Sequence, residues 1–211
     1  MILSLNDTPA ELSDEDWTYY LRRTNIPKGY WKADINSLEG EVRAKTEAYL
    51  AKMHEALRDG WGMMFYGDFR TGKSSVAAII GRRMLAHGAG VYFIEASDLM
   101  DVVLGRPKPM FEDDETVEHR LYDCNLLILD DLGREHSKEF GESLVEKVLR
   151  KRLVDNRSTI ITTNLDANAL KQKYGESTFR VIATKRVAVH VSNPKWYARD
   201  RDAAKTYLEE K

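Results

Sequence analysis

Nine residues constrain this chain more than any others. Gly67 and Gly72 bracket four residues, and Lys73, Ser74 and Ser75 follow at once, so "GDFRTGKSS" satisfies the pattern G-x-x-x-x-G-K-[ST]. The stretch follows the apolar run "WGMMFY" and opens "GKSSVAAIIGRRMLAHG", which reads as a helix stopped by Gly88. Strand, glycine-rich turn and helix, in that order, are what a phosphate-binding loop needs. Glycines let backbone N–H groups approach phosphate oxygens, and the helix turns its positive end toward them. A glycine-rich turn with a surface lysine is the plain alternative, and the strand–loop–helix setting argues against it. In the functional reading Gly67, Asp68, Phe69, Arg70, Thr71, Gly72, Lys73, Ser74 and Ser75 cradle ATP. Lys73 neutralises its β and γ phosphates, and Ser74 holds Mg²⁺.

A loop of this kind sits in a parallel sheet, and the rest of the chain supplies one. "GVYFIEA", "NLLILDD", "STIITTN" and "VAVHV" are short apolar runs consistent with strands buried on both faces. Helical segments alternate with them. One amphipathic helix is expected from Glu39 to Arg58, ending near Gly60. Others are "SDLMDVVLG" with Ser97 as N-cap, "TVEHRLYD", "SKEFGESLVEKVLRKRLVDN", "DANALKQKYG" and "ESTFRVIATKR". A short helix around Trp17 to Arg22 is broken by Pro27 and Gly29, and the tail from Pro194 reads as helical. The fold class is α/β: a P-loop NTPase with a parallel five-stranded sheet between helices.

Two further strand ends carry polar residues. "LLILDD" places Asp130 and Asp131 at the carboxyl end of a buried strand, where open parallel sheets bind ligands. Asp130 is a natural ligand of Mg²⁺, mostly through water. Asp131 is placed to orient or deprotonate an attacking water. The alternative is a solvated turn. "IITTN" ends in Thr162, Thr163 and Asn164, which suit the attacking water or the γ-phosphate, or else cap the next helix.

Composition excludes several classes. A net charge of −2 announces no global nucleic-acid surface, so any such surface is a local patch. The single cysteine, Cys124, allows no disulfide framework, and the five histidines have no ligand spacing. The acidic "MILSLNDTPAELSDED" does not read as a signal peptide, and no apolar run reaches the ~18 residues of a membrane span. A cytoplasmic protein without membrane contact is expected.

"GDFRTGKSS", "LLILDDLGRE", "IITTNL" and the upstream "NIPKGYWKADI" resemble the DnaC/IstB-like branch of AAA+ ATPases, over roughly residues 25 to 192. The resemblance implies an AAA+ core at residues 38–192, preceded by an N-terminal arm at 1–37 and followed by a C-terminal helical tail at 193–211. That tail is a reduced lid, with Arg199 or Arg201 as sensor 2 candidates. The resemblance makes Gly67 to Ser75 Walker A, Asp130 and Asp131 Walker B, and Asn164 sensor 1. Arg180 reaches a neighbouring subunit's ATP, with Arg186 as second choice. Asp131 stands where most AAA+ proteins have Glu, and its shorter reach implies slow, switch-like turnover. The arm either docks on a partner through Trp17, Tyr19, Tyr20 and Trp31 or packs those aromatics on its own core.

The resemblance also implies ATP-dependent homo-oligomerisation on single-stranded DNA, and loading or recruitment of a replicative helicase. Arg106, Lys108 and Phe111 in "GRPKPMF" suit a DNA strand. So does the basic run of Lys147, Arg150, Lys151, Arg152 and Arg157, which equally suits a solvated helix face. An IstB-like regulator of transposition, whose partner is a transposase, is the neighbouring reading. A small-molecule P-loop kinase and a non-hydrolysing nucleotide-binding scaffold are the readings of a different class.

Overall fold

The computed structural model describes residues 13–103, 117–135 and 138–192. Five strands form one parallel sheet: β1 (Gly62–Tyr66), β2 (Val91–Glu95), β3 (Leu126–Leu132), β4 (Ser158–Thr163) and β5 (Arg186–His190). Their spatial order is β2-β3-β4-β1-β5. The P-loop strand β1 therefore lies beside β4, and β4 lies beside β3, with Met64 opposite Ile161 and Leu129 also opposite Ile161.

Side chains alternate across a strand, so each apolar run divides between two cores. Met64, Tyr92, Ile94, Leu127, Leu129 and Ile161 face one way, onto α6 (Val117–Asp123), α7 (Lys138–Val154) and α8 (Ala167–Ala183). Met63, Phe65, Phe93, Leu126, Ile128 and Ile160 face the other, onto α4 (Lys73–Ala86), α2 (Gly40–Ala51) and α3 (Met53–Asp59).

The strand β5 departs from the buried-run expectation. Val187 and Ala188 are exposed and, within the strand, Val189 alone is fully buried, because β5 is a sheet edge paired with β1 only.

Local differences from expectation have local causes. The expected helix from Glu39 to Arg58 is two helices, broken at Lys52 (φ −111°, ψ 21°). No glycine or proline marks the break. The Lys52 N–H closes a tighter turn onto the Tyr49 carbonyl at 3.1 Å, and α2 then lies on α4 and β5 while α3 lies on β4. Ser97 is not an N-cap: it sits inside a 3₁₀ turn, Ala96–Asp98, that leads into α5 (Leu99–Val103), and its hydroxyl bonds the Asp98 carboxylate. The helix α8 contains a kink at Gly175 (φ 76°, ψ 164°), which separates the two helical segments expected there.

The arm begins with α1 (Asp14–Arg23), capped by the Ser13 hydroxyl accepting from the Asp16 N–H. The chain then runs along the edge of β2, where the Phe93 N–H donates to the Thr24 carbonyl at 2.8 Å and the Asn25 amide donates to the Phe93 carbonyl at 2.9 Å. Trp31 packs against the second core and donates its indole N–H to the Ile26 carbonyl, whereas Tyr19 is exposed. Among the described residues no helix is long and apolar enough to cross a membrane.

Candidate nucleotide site

The carboxyl ends of β1, β3 and β4 share one rim, and a cavity of about 250 Å³ opens there. Tyr30, residues 69 to 75, Asp131 and Asn164 line it. The loop is built around Gly67, whose φ of 141° suits glycine and whose missing side chain leaves room for the Val191 carbonyl, 2.5 Å from where a Cβ would stand. Gly72, also in the left-handed region, caps α4, so the helix N-terminus opens onto the cavity. Lys73 is buried. Its ammonium folds back over the loop and donates to the carbonyls of Gly67 (3.0 Å) and Asp68 (2.6 Å). Burial holds this ammonium below the ordinary lysine range, against the pull of Asp131, Asp130 and Asp68.

Asp130 lies beneath the cavity, 5% exposed, and accepts from the Thr162 hydroxyl at 2.5 Å. Burial pushes its carboxyl up to about 6; hydroxyls of Thr162 and Ser74 counter this, while Asp131 and Glu95 raise it further. Glu95 is the residue opposite Asp130 in the β2–β3 register. A carboxylate buried among hydroxyls and other carboxylates is held against its preference for neutrality, and a bound cation relieves that cost. Among the described residues no three His, Cys, Asp or Glu cluster to cage a metal. Magnesium does not need such a cage: it is typically held by one or two protein oxygens plus phosphates and water. Ser74 and Asp130 therefore fit Mg²⁺ carried by a nucleotide.

The strand β3 shifts register between Leu129 and Leu132, and Asp131 adopts a left-handed backbone (φ 53°). Strained backbone of this kind at a strand end aims a side chain. The Asp131 N–H donates to Thr162, and its carboxylate accepts from the Asn164 amide at 3.4 Å and pairs with Arg134 at 3.1 Å. Asp131 and Asn164, expected at strand ends that converge on one crevice, thus meet.

Other expected positions fall elsewhere. Arg180 lies on the second half of α8, with 77% of its side chain exposed and Glu176 beside it at 3.4 Å; it is not among the described residues that line the cavity. Arg186 does not fit a role at a neighbour's site: its guanidinium donates to the carbonyls of Val181, Ile182 and Thr184 and so ends α8. Arg152, read as a DNA contact or part of a solvated face, is fully buried, donating to the carbonyls of Leu121, Tyr122, Cys124 and Ser158 and to Thr159. Arg106, Lys108, Phe111, Arg199 and Arg201 lie outside the described residues.

The sequence reading gave no role to two residues at the rim. Tyr30 arrives from the arm and walls the cavity, its ring 6.4 Å from that of Phe93 and its hydroxyl turned toward Ser74. Arg134 pairs with Asp131 and stacks over Phe69 at 5.2 Å. Tyr30 was legible only as part of "NIPKGYWKADI", and Arg134 only as part of "LDDLGRE".

Residues 41–193 match the family model described as IstB-like ATP binding protein. The replicative helicase loader DnaC of Buchnera aphidicola subsp. Schizaphis graminum is 27% identical over 146 residues, covering 69% of this chain and 56% of that protein. The DnaC of Buchnera aphidicola subsp. Baizongia pistaciae is 30% identical over 164 residues, covering 74% and 65%. The chain therefore aligns with little more than half to two thirds of the length of these relatives. Among solved structures, that of the DnaC helicase loader superposes with a TM-score of 0.66 at 20% identity, covering 79% of this chain and 100% of that one. AMPPCP-bound DnaA from Aquifex aeolicus superposes with a TM-score of 0.60 at 17% identity, covering 87% and 57%. These likenesses establish the fold as that of P-loop AAA+ proteins.

Proposed function

Because the chain belongs to the IstB-like ATP-binding protein family, we propose that it is a Mg²⁺-dependent ATPase that assembles with ATP on single-stranded DNA and loads a replicative helicase. The observation that supports this most is the convergence of Lys73, Asp130, Asp131 and Asn164 at three adjacent strand ends. The relatives' own role as helicase loaders supports the choice of partner.

Each residue has a distinct part. The backbone N–H groups of the P-loop bind the phosphates, and Lys73 exchanges its two carbonyl partners for phosphate oxygens. Ser74 and Asp130 hold the metal, which when bound withdraws charge from the phosphates. Asp131, steadied by Asn164, orients the attacking water and accepts its proton. As the shorter acid it works slowly. Arg180, exposed and away from its own cavity, stabilises transferring charge in a neighbouring subunit's site. Residues 38–192 form the ATPase core in this reading, and the arm walls the site through Tyr30.

The test is particle mass by light scattering with ADP, with a non-hydrolysable ATP analogue, and with the analogue plus single-stranded DNA. Growth with the analogue, enhanced by DNA, is expected. Lys73→Ala, which removes the phosphate cation, abolishes analogue binding and growth together. A monomer under every condition refutes the proposed assembly.

A further inference from the structure

Glu135 is a buried carboxylate that the chemistry above does not use. It closes the motif "LLILDDLGRE", four residues after Asp131. It is no replacement for the glutamate that Asp131 displaces, because it does not line the cavity and points the other way, into the interface with α7 and α8. Its side chain is 3% exposed and ion-paired with Lys173 at 3.1 Å. The Tyr174 hydroxyl donates to it at 2.5 Å, and the Gly133 N–H at 2.9 Å. Lys173 completes the ring by donating to the Gly133 carbonyl at 2.9 Å. The turn requires glycine: Gly133 has φ 111°, and a Cβ there would stand 2.8 Å from Leu165. On the far side Gly141 of α7 leaves just enough room, its own Cβ position falling 2.7 Å from that of Glu135.

This cluster joins two functional parts. One end is the turn that carries Asp131 and Arg134. The other is the last turn of α8 before the Gly175 kink, and Arg180 stands five residues beyond that kink. Burial of the Glu135 carboxylate is costly unless it is paired, so losing its contacts with Lys173 and Tyr174 one at a time is disfavoured and they hold the turn against α8.

We propose that Glu135 is a positioning residue that clamps the Asp131 turn to α8. A change at a protomer's own nucleotide site then moves the arginine it offers to the next site. The inference rests on the reading that Asp131 acts on water and Arg180 acts in a neighbouring subunit.

The experiment compares full-length wild type, Glu135→Gln and Tyr174→Phe. Glu135→Gln keeps the shape but removes the charge that holds Lys173; Tyr174→Phe keeps the volume but removes one donor. Amide hydrogen exchange of residues 176–183 is measured with and without the Mg²⁺-loaded non-hydrolysable analogue, alongside analogue affinity and steady-state turnover. In wild type the analogue alters protection of 176–183. In both variants that response falls by about threefold or more, kcat falls by about fivefold, and analogue affinity and KM stay within about twofold. A merely structural role would lower the melting temperature and leave the response to nucleotide in place. An equal response in wild type and folded variants overturns the proposal, and so does a wild type whose 176–183 segment ignores the analogue. The underlying reading fails separately: Arg180→Ala with full turnover removes the trans arginine and the ground of the proposal with it.

Discussion

Replacing Asp130 by Asn should stabilise the protein without nucleotide and weaken it with nucleotide, and both effects have a sign and size. The Asp130 carboxyl titrates near 6 in the fold, against 3.8 when solvated. At ~1.4 kcal/mol per pH unit of that difference, holding it ionised near neutral pH costs about 3 kcal/mol. The folded value is raised, so the folded state binds the proton more tightly than the unfolded state. Stability from this group is full below pH ~4 and is lost as pH rises through about 6. The Asn side chain keeps an oxygen for the Thr162 hydroxyl but brings an amide with no assured partner. That takes back ~1 kcal/mol. The net expectation near pH 7.5 is about 2 kcal/mol of added stability, or roughly 4 to 8 °C in Tm for a chain of this size. The assay is urea and thermal denaturation of wild type and Asp130→Asn in a chelating buffer from about pH 4.5 to 8. The two curves should converge at the acid end and separate through about 6. Adding Mg²⁺ and the ATP analogue at ~100-fold over its Kd should raise the wild type by ~2.7 kcal/mol and the variant by much less, reversing the order. A variant less stable than wild type near pH 7.5 without nucleotide, or a difference that ignores pH, refutes the reasoning.

Three other outcomes follow from particular side chains. Arg180→Ala should keep analogue affinity within about twofold and lose ~10³-fold in kcat in the assembled state, measured by phosphate release; unchanged turnover refutes its role. Arg152→Met leaves the carbonyls of Leu121, Tyr122, Cys124 and Ser158 without their buried donor and should cost ~3 kcal/mol or more in urea denaturation. Arg134→Ala removes a pair that is largely exposed on the arginine side, so its stability should change by less than ~1 kcal/mol in the same assay.

The P-loop, the Asp130–Asp131 pair and Asn164 were legible because each depends on residues close in sequence and on a strand that ends where its apolar run ends. Their meeting followed from the parallel order, since β4 lies between β3 and β1. The break at Lys52 was not legible, since neither glycine nor proline stands there and tertiary packing of α2 and α3 decides it. The roles of Tyr30 and Glu135 were not legible either, although both stand in stretches that carry the resemblance, "NIPKGYWKADI" and "LLILDDLGRE". Each takes its role from a partner far along the chain, Ser74 for the first and the Lys173–Tyr174 pair for the second.

Arg152 is a different case, because its signal was present and outvoted. Read as part of "LRKR", it is one of four basic or branched neighbours and looks solvated. Read on the helical period, Val145, Val148, Leu149 and Arg152 stand at i, i+3, i+4 and i+7, one stripe of α7, and all four are fully buried. Lys147, Arg150 and Lys151 fall off that stripe and are exposed. The period therefore outranks the local charge run wherever the two disagree on a long helix. An arginine on an apolar stripe signals a cluster of carbonyls to be satisfied, here the start of β4, the last turn of α6 and Cys124 just after it, rather than a surface for phosphate.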